Sequence, residues 1–185
     1  MQLLQYPQQG GSALVQSIIE LEATAWPTEG ESESFPSAPQ TYVTSFVMLE
    51  GSKAVCHAAV RRAPLIHKGV EYTACGLSEV VTRPGYQGRG IASQVIARAR
   101  DFILNQGTDI GIFTCRPELV SFYARSGWTP AEGSCLIGGT PADPFRSDSL
   151  GLVTMLSLLS DKARLHWRDF ESADIFCELG KGQLW

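Results

Sequence analysis

Glu79-Val80-Val81-Thr82-Arg83-Pro84-Gly85-Tyr86-Gln87-Gly88-Arg89-Gly90-Ile91-Ala92 is the stretch that decides the fold. A strand ends near Thr82, a turn carries Pro84 and Gly85, and Gln87 to Gly90 opens directly into a long apolar-striped helix. The first amides of a helix have no partner inside it, and the helix dipole adds positive potential there. Glycine lets a phosphate come close to the backbone, and Arg89 adds a charge. The stretch is an anion cradle, and its expected guest is a pyrophosphate. A dinucleotide fingerprint does not fit, because position 93 is Ser93 where a third glycine belongs. No G-x-x-x-x-G-K-[ST] loop for ATP is present.

Upstream, Tyr42 to Leu49, Ala54 to Ile66 and Glu71 to Thr82 are apolar, β-branched runs joined by short turns, which predicts an antiparallel meander. Ser12 to Trp26 carries Leu14, Ile18, Leu21 and Ala25 at helical spacing behind a Ser12 cap. Pro27 to Pro39 is a Pro/Ser/Glu-rich loop and a candidate lid. Downstream, Ile91 to Leu104 is a helix closed by Gly107, Asp109 to Cys115 a buried strand, and Pro117 to Ser126 a short helix ended by Gly127. Trp128 onward is strand-like, 138–149 is a Gly/Pro/Ser-rich loop, and Leu150 to Leu159 is a strand. Asp161 to Arg168 is a linker or helical turn, and Ile175 to Leu179 a last strand. The order predicts a mixed sheet, antiparallel first, with a parallel pair around the helix from Ile91.

The chain has 185 residues, 44% hydrophobic and 18% charged, with a formal net charge of -4. That supports one domain spanning 1–185 with an adequate core. An acidic balance argues against nucleic acid as partner. No signal peptide or membrane-length run is evident, and the five cysteines are odd in number with no C-x-x-C pair. Reduced, buried thiols and a cytoplasmic location are expected. His57, His67 and His166 lack metal-ligand spacing, so no metal is expected.

Gln87-x-x-Gly90-x-Ala92 resembles the (Q/R)-x-x-G-x-(G/A) signature of the GNAT N-acetyltransferases. Val80-Val81-Thr82-x-Pro84-x-Tyr86 is similar to the strand that leads into it. Phe122-Tyr123-Ala124-Arg125-Ser126-Gly127-Trp128 is similar to the family's later "FY-x-x-x-GF" segment. Together with the element order, the resemblance covers roughly residues 12 to 137. It implies an α/β (α+β) domain whose mixed central sheet splays around acetyl-coenzyme A, with flanking helices. It implies backbone contacts to the cofactor from Val80, Val81 and Thr82. The pyrophosphate would lie on the amides of Gln87, Gly88, Arg89, Gly90, Ile91, Ala92 and Ser93. A homodimer is also a family expectation.

The tail Cys177-Glu-Leu-Gly-Lys-Gly-Gln-Leu-Trp185 resembles that of aminoglycoside 2'-N-acetyltransferases, which typically end "C-D-(F/W)-R-x-G-D-x-W". Gln183 stands where that pattern has an acidic residue, and Lys181 adds a positive charge. Both favour a less cationic acceptor, such as kasugamycin, and an outcome of antibiotic inactivation. Glu33, Ser78, Asp148, Gln183 and the carboxylate of Trp185 are the acceptor-side candidates, with Glu29 and Glu31 beside Glu33. Trp26 and Trp128 are candidates for a sugar-stacking wall, with core packing the favoured reading of Trp128.

Acetyl transfer must deprotonate an ammonium, stabilise the developing oxyanion and protonate the departing thiolate. Glu79, a carboxylate in an apolar strand, is the candidate base. Counting back from Gln87 puts the family's glutamate on Ser78, so Glu79 faces the site only if a bulge shifts the register. Tyr123 is the candidate acid, with core packing as its other role. Cys115 as nucleophile lacks a histidine partner and is expected to be structural. Three functions stay open: acetylation of an aminoglycoside-type amine, acetylation of a protein, peptide or polyamine amine, and non-catalytic sensing of acetyl-coenzyme A.

Overall fold

The computed structural model describes residues 1–6, 12–27 and 35–185, with the Ser12 side chain left aside. Glu29, Glu31 and Glu33 lie outside the described residues. The chain forms a mixed α/β fold in which two compact units can be told apart. One unit is Met1–Arg61 with Leu77–Phe102, and the other is Arg62–Gly76 with Ile103–Trp185. The strands β3 (Lys53–His67) and β4 (Val70–Thr82) contribute residues to both.

In the first unit, β1 (Gln2–Tyr6) pairs antiparallel with β2 (Tyr42–Glu50), placing Tyr6 opposite Ser45. β2 pairs antiparallel with β3 around the Gly51 turn, with Val47 opposite His57. Alternation is lost in the middle of β2 and β3: consecutive residues from Thr44 to Leu49 are buried, as are those from Ala54 to Val60. These strands are therefore covered on both faces. Helix α1 (Ser12–Glu22) seats Ile18 and Leu21 among Tyr6, Val47, Leu49, Ala54 and Val81. Each such side chain contributes about 1.5–3 kcal/mol relative to exposure. The Ser17 hydroxyl accepts a hydrogen bond from the Ala54 amide at 2.8 Å, which fixes the helix to β3. Helix α2 (Ile91–Leu104) buries Val95, Ile96 and Ala99, the stripe its 3.6-residue period predicts. Phe102 meets Phe46 edge-on at 5.7 Å.

In the second unit, β4 runs parallel to β5 (Ile110–Cys115) through Ala74–Ile110 and Cys75–Gly111. β5 pairs antiparallel with β9 (Val153–Leu158), and the two-residue β6 (Thr129–Pro130) flanks β9. A separate sheet holds β7 (Cys135–Thr140) between β8 (Asp143–Arg146) and β10 (Asp174–Phe176). Helices α3 (Val120–Ala124) and α4 (Asp161–Leu165) are short. Ser160 caps α4, its hydroxyl accepting from the Ala163 amide.

The mixed sheet and its parallel pair follow the sequence expectation. Four details differ. The first helix stops at Glu22, four residues before Trp26. Pro117 to Ser126 is a 3-10 turn, Pro117–Leu119, followed by the five-residue α3. The loop expected at 138–149 is mostly the hairpin β7–β8. Gly139 adopts φ 79° with the Asp143 carbonyl where a Cβ would stand, so its glycines serve strand approach. β1 was not anticipated, because Gln2-Leu-Leu-Gln-Tyr6 shows no alternation and forms against β2 as an edge. Among the described residues, no helix is long and apolar enough to cross a membrane.

Candidate active site

The cradle lies in the first unit. Arg83 anchors its entry: its amide donates to the Val55 carbonyl at 2.9 Å and its Nε to the Ala54 carbonyl at 3.2 Å. The Tyr86 amide returns to the Arg83 carbonyl at 3.0 Å, closing a turn over Pro84 and Gly85. The Tyr86 hydroxyl donates to Glu50 Oε2, and the Arg89 guanidinium stacks 5.3 Å from the Tyr86 ring centre. Gly88 and Gly90 take φ of 71° and 74°. A Cβ at either would meet nothing within 4 Å, and residues 87–90 are exposed. The glycines are thus required by conformation and leave the approach to the backbone open. The Gln94 amide bonds the Gly90 carbonyl at 3.3 Å, so the α2 ladder begins there. Amides in the first turn of a helix have no partner within it and can serve an oxyanion guest.

β4 leads into this turn, and its backbone is irregular at Glu79. Glu79 has φ 54°, unusual for a non-glycine residue, and Ser78, Glu79 and Val80 are all half-buried where alternation would bury one. Glu79 Oε1 takes the Arg61 guanidinium at 2.5 Å and the Ser37 hydroxyl. Arg61 is 1% exposed and also donates to the Ala38 carbonyl at 2.7 Å and to Ser37 Oγ at 2.8 Å. The described end of the early loop, Ser37 and Ala38, is thereby tied to the β3–β4 charge pair. Oε2 of Glu79 is buried and takes no hydrogen bond from the described residues.

Sequence reasoning missed the neighbours of this carboxylate. His57 is fully buried, with Nδ1 2.8 Å from Glu22 Oε1 and Nε2 2.7 Å from Ser45 Oγ. Glu22, His57 and Glu79 each place one donor atom within 4.8 Å of the others, a set that sequence spacing could not reveal. Two carboxylates and an imidazole are a possible cation ligand set, although Arg61 already brings a positive charge to Glu79. The argument that singled out Glu79, a charge inside an apolar strand, applies equally to Arg61 and His57 and would have found them.

The second unit carries the remaining candidates. Tyr123 is 5% exposed, its ring edge-on to Phe113 at 4.8 Å and to Phe122 at 5.1 Å. Trp128 is a core residue, as favoured from sequence: it meets Phe113 at 4.7 Å and fills the space over Gly111. Trp26 is 49% exposed. Burial pushes the Cys115 thiol up to about 11, with the Glu118 charge adding to it, so Cys115 is a structural thiol rather than a nucleophile. All five cysteines are buried and unbridged.

Asp148 sits in the 3-10 turn Asp148–Leu150 and is held by Arg146 at 2.8 Å, which also grips Asp174 at 2.7 Å. The Arg146 bonds hold the Asp148 carboxyl below its ordinary range. The tail follows β7, with the Cys177 amide on Ile137, the Leu179 amide on Gly139 and the Gly139 amide on Gln183. The Trp185 ring is buried and covers Gly76, and its main-chain oxygen accepts from the Thr114 amide at 2.7 Å and the Thr114 hydroxyl. Gln183 and Trp185 therefore share one docked segment.

The acetyltransferase (GNAT) domain family matches residues 10–131, about two thirds of the chain. The chain belongs to the GNAT acetyltransferase family. It is an N-acyltransferase, and its cosubstrate is acetyl-coenzyme A. The open glycines and Arg89 fit the pyrophosphate of that group. No curated protein matches the chain in sequence. Solved structures agree in fold. Escherichia coli ElaA superposes with TM-score 0.60 at 10% identity over 84% of this chain and 97% of its own. A GNAT family acetyltransferase from Brucella melitensis, crystallised with acetyl-CoA, gives 0.52 at 19% identity over 69% and 83%. A probable N-acyltransferase from Enterococcus faecalis V583 gives 0.59 at 17% identity over 71% of this chain, which spans only 33% of that longer protein.

Proposed function

We propose that the protein acetylates an amino group of a small aminoglycoside-type acceptor, with Glu79 as the base. The observation that carries this is the pairing, within one unit, of an exposed glycine turn with a largely buried carboxylate, Glu79, at a positive-φ position of the strand leading into it. Val80, Val81 and Thr82 would flank the pantetheine arm, and the amides from Gln87 to Ser93 would hold the pyrophosphate. Bound acetyl-coenzyme A supplies the thioester. Glu79 Oε2, which neither Arg61 nor Ser37 bonds, would take the ammonium proton directly or through a water. The Tyr123 hydroxyl would protonate the departing thiolate. Gln183, with Lys181 two residues before it, supports an acceptor with few ammonium groups, of the kasugamycin kind, and a role in resistance. Asp148 and the Trp185 segment are the remaining acceptor-side candidates. Five unbridged thiols support a reducing, cytoplasmic setting. Equilibrium sedimentation tests the proposed homodimer.

Thiol release from acetyl-coenzyme A across an aminoglycoside panel including kasugamycin tests the activity. Turnover on one member is expected, falling about 100-fold or more in Glu79→Ala and clearly in Tyr123→Phe. Silence across the panel, with acetyl-coenzyme A still bound, overturns the acceptor class and favours a sensor or a peptide or polyamine acceptor.

A further inference from the structure

We propose that Ser37 is a positioning residue for Glu79: its hydroxyl, together with the Arg61 guanidinium, fixes one oxygen of the carboxylate and so commits the other to the proton. The proposal rests on Glu79 being the base. Ser37 lies in the strap 35–41, the described end of the early loop, in the same unit as Arg61 and Glu79. The strap is seated at both ends. At one end the Phe35 ring meets Tyr42 edge-on at 5.7 Å and His57 at 5.9 Å, and tilts against Tyr6 at 6.2 Å. At the other, the Thr41 amide donates to the Ala38 carbonyl at 3.3 Å, and Ala38 is 2% exposed. Between them Ser37 is exposed, yet its hydroxyl bonds the largely buried Glu79.

Three polar atoms close on one another. Arg61 Nη2 carries two hydrogens; it donates to Glu79 Oε1 at 2.5 Å and to Ser37 Oγ at 2.8 Å. The single Ser37 hydroxyl hydrogen goes to the same Oε1. Arg61 Nη1 donates to the Ala38 carbonyl at 2.7 Å, so strap and carboxylate hang on one buried guanidinium. Every hydrogen of the triangle has an acceptor, and Oε1 receives donors from two elements, β3 and the strap. Oε2 takes no hydrogen bond from the described residues.

The need for a second donor is local. The last torsion of a glutamate side chain is broad, so a carboxyl group held by one donor can swing about it. Two donors that approach one oxygen from different elements set both the plane of the group and the oxygen that is spent on structure. A base out of place by a fraction of an ångström loses rate rather than cofactor affinity. Ser37 is also the member of the triangle that can be altered cleanly. Arg61 is 1% exposed and its loss strands a charge, whereas Ser37→Ala removes one hydroxyl from an exposed residue.

Steady-state kinetics on an amine that turns over tests the role. Ser37→Ala should lower kcat about tenfold, the loss of one hydrogen bond to a charged group, with KM for acetyl-coenzyme A and the melting midpoint unchanged. Ser37→Thr keeps the hydroxyl and should hold kcat within about twofold of wild type. In a Glu79→Gln background, Ser37→Ala should lower kcat no further, because the group it positions no longer takes a proton. A wild-type kcat in Ser37→Ala, or an equal loss in both backgrounds, overturns the proposal. So does a loss that comes with a lower melting midpoint and is not restored by threonine, which marks a merely structural strap. Hydrogen–deuterium exchange reads the clamp without activity: Ser37→Ala and Glu79→Ala should each speed exchange in 35–41, and Ser37→Thr should not. Unchanged exchange in both alanine variants overturns the clamp. Faster exchange in a protein that turns over no amine, or whose Glu79→Ala variant keeps full turnover, leaves the clamp standing and rejects Glu79 as the base, and the role of Ser37 in the reaction with it.

Discussion

Two arginines grip carboxylates in this protein under opposite conditions. Arg61, in the first unit, is 1% exposed and pairs with a Glu79 side chain that is 14% exposed. Arg146, in the second unit, is 42% exposed and clasps Asp148 and Asp174, which are more exposed still. The geometry of the exposed cluster is at least as good, yet solvent screens it, whereas the buried pair cannot exchange its partner for water. The first unit therefore places charge where it is costly, on the strand that leads into the glycine turn before α2. The second unit fills its interior with rings such as Phe113, Trp128 and Trp185 and leaves Arg146, Lys162 and Arg164 at the surface. Charge kept in spite of its desolvation marks the part of the molecule with chemistry to do.

The contrast can be broken at its strongest point. Arg61→Met should lower unfolding stability by about 3–5 kcal/mol in a denaturant melt, because it strands Glu79 in a buried setting. A loss below 1 kcal/mol would mean that Glu79 rehydrates easily and that the two clusters differ little. In the ring-filled unit, an alanine Cβ at Gly76 would lie 2.5 Å from the Trp185 ring and against the Ile112 carbonyl. Gly76→Ala should cost about 1–3 kcal/mol and raise the exposure of Trp185, seen in its fluorescence. Asp109 offers a smaller, pH-dependent test. Burial pushes its carboxyl up, but bonds from Lys162, the Thr73 amide and Ser160 outweigh that and hold it below its ordinary range. A depressed folded value means stability present above the unfolded value and lost as pH falls through the folded one. Asp109→Asn should therefore flatten the acid limb of the stability–pH curve below about pH 4. Smallest of all, Arg146→Ala should leave the melting midpoint within experimental error.

Much of this was legible in the chain. The β2–β4 meander, the α2 stripe and β5 follow from period and turn chemistry, and the cradle follows from four residues, Gln87 to Gly90. The hairpin β7–β8 was hidden because Gly138, Gly139 and Pro144 have loop composition. Gly138 is bare to admit the Gln183 carbonyl of a segment some 45 residues later. The site was half legible. Glu79 stood out as a charge among apolar neighbours, but whether it or Ser78 faced the cluster depended on a bulge that no local pattern records. His57 and Glu22 were invisible as a pair, since one lies in a strand and the other ends a helix. Only the packing of Ile18 and Leu21 brings that helix end to β3.

Gly88 and Gly90 combine a left-handed backbone with empty space where a side chain would go. An L-residue is strained there on conformation alone, while its mirror image has that conformation as its own preference. A D-alanine introduced at position 88 or 90 by chemical ligation should enter without a clash and stiffen the loop in its binding shape. The handedness of the amino acid, rather than its size, is what the cradle reads.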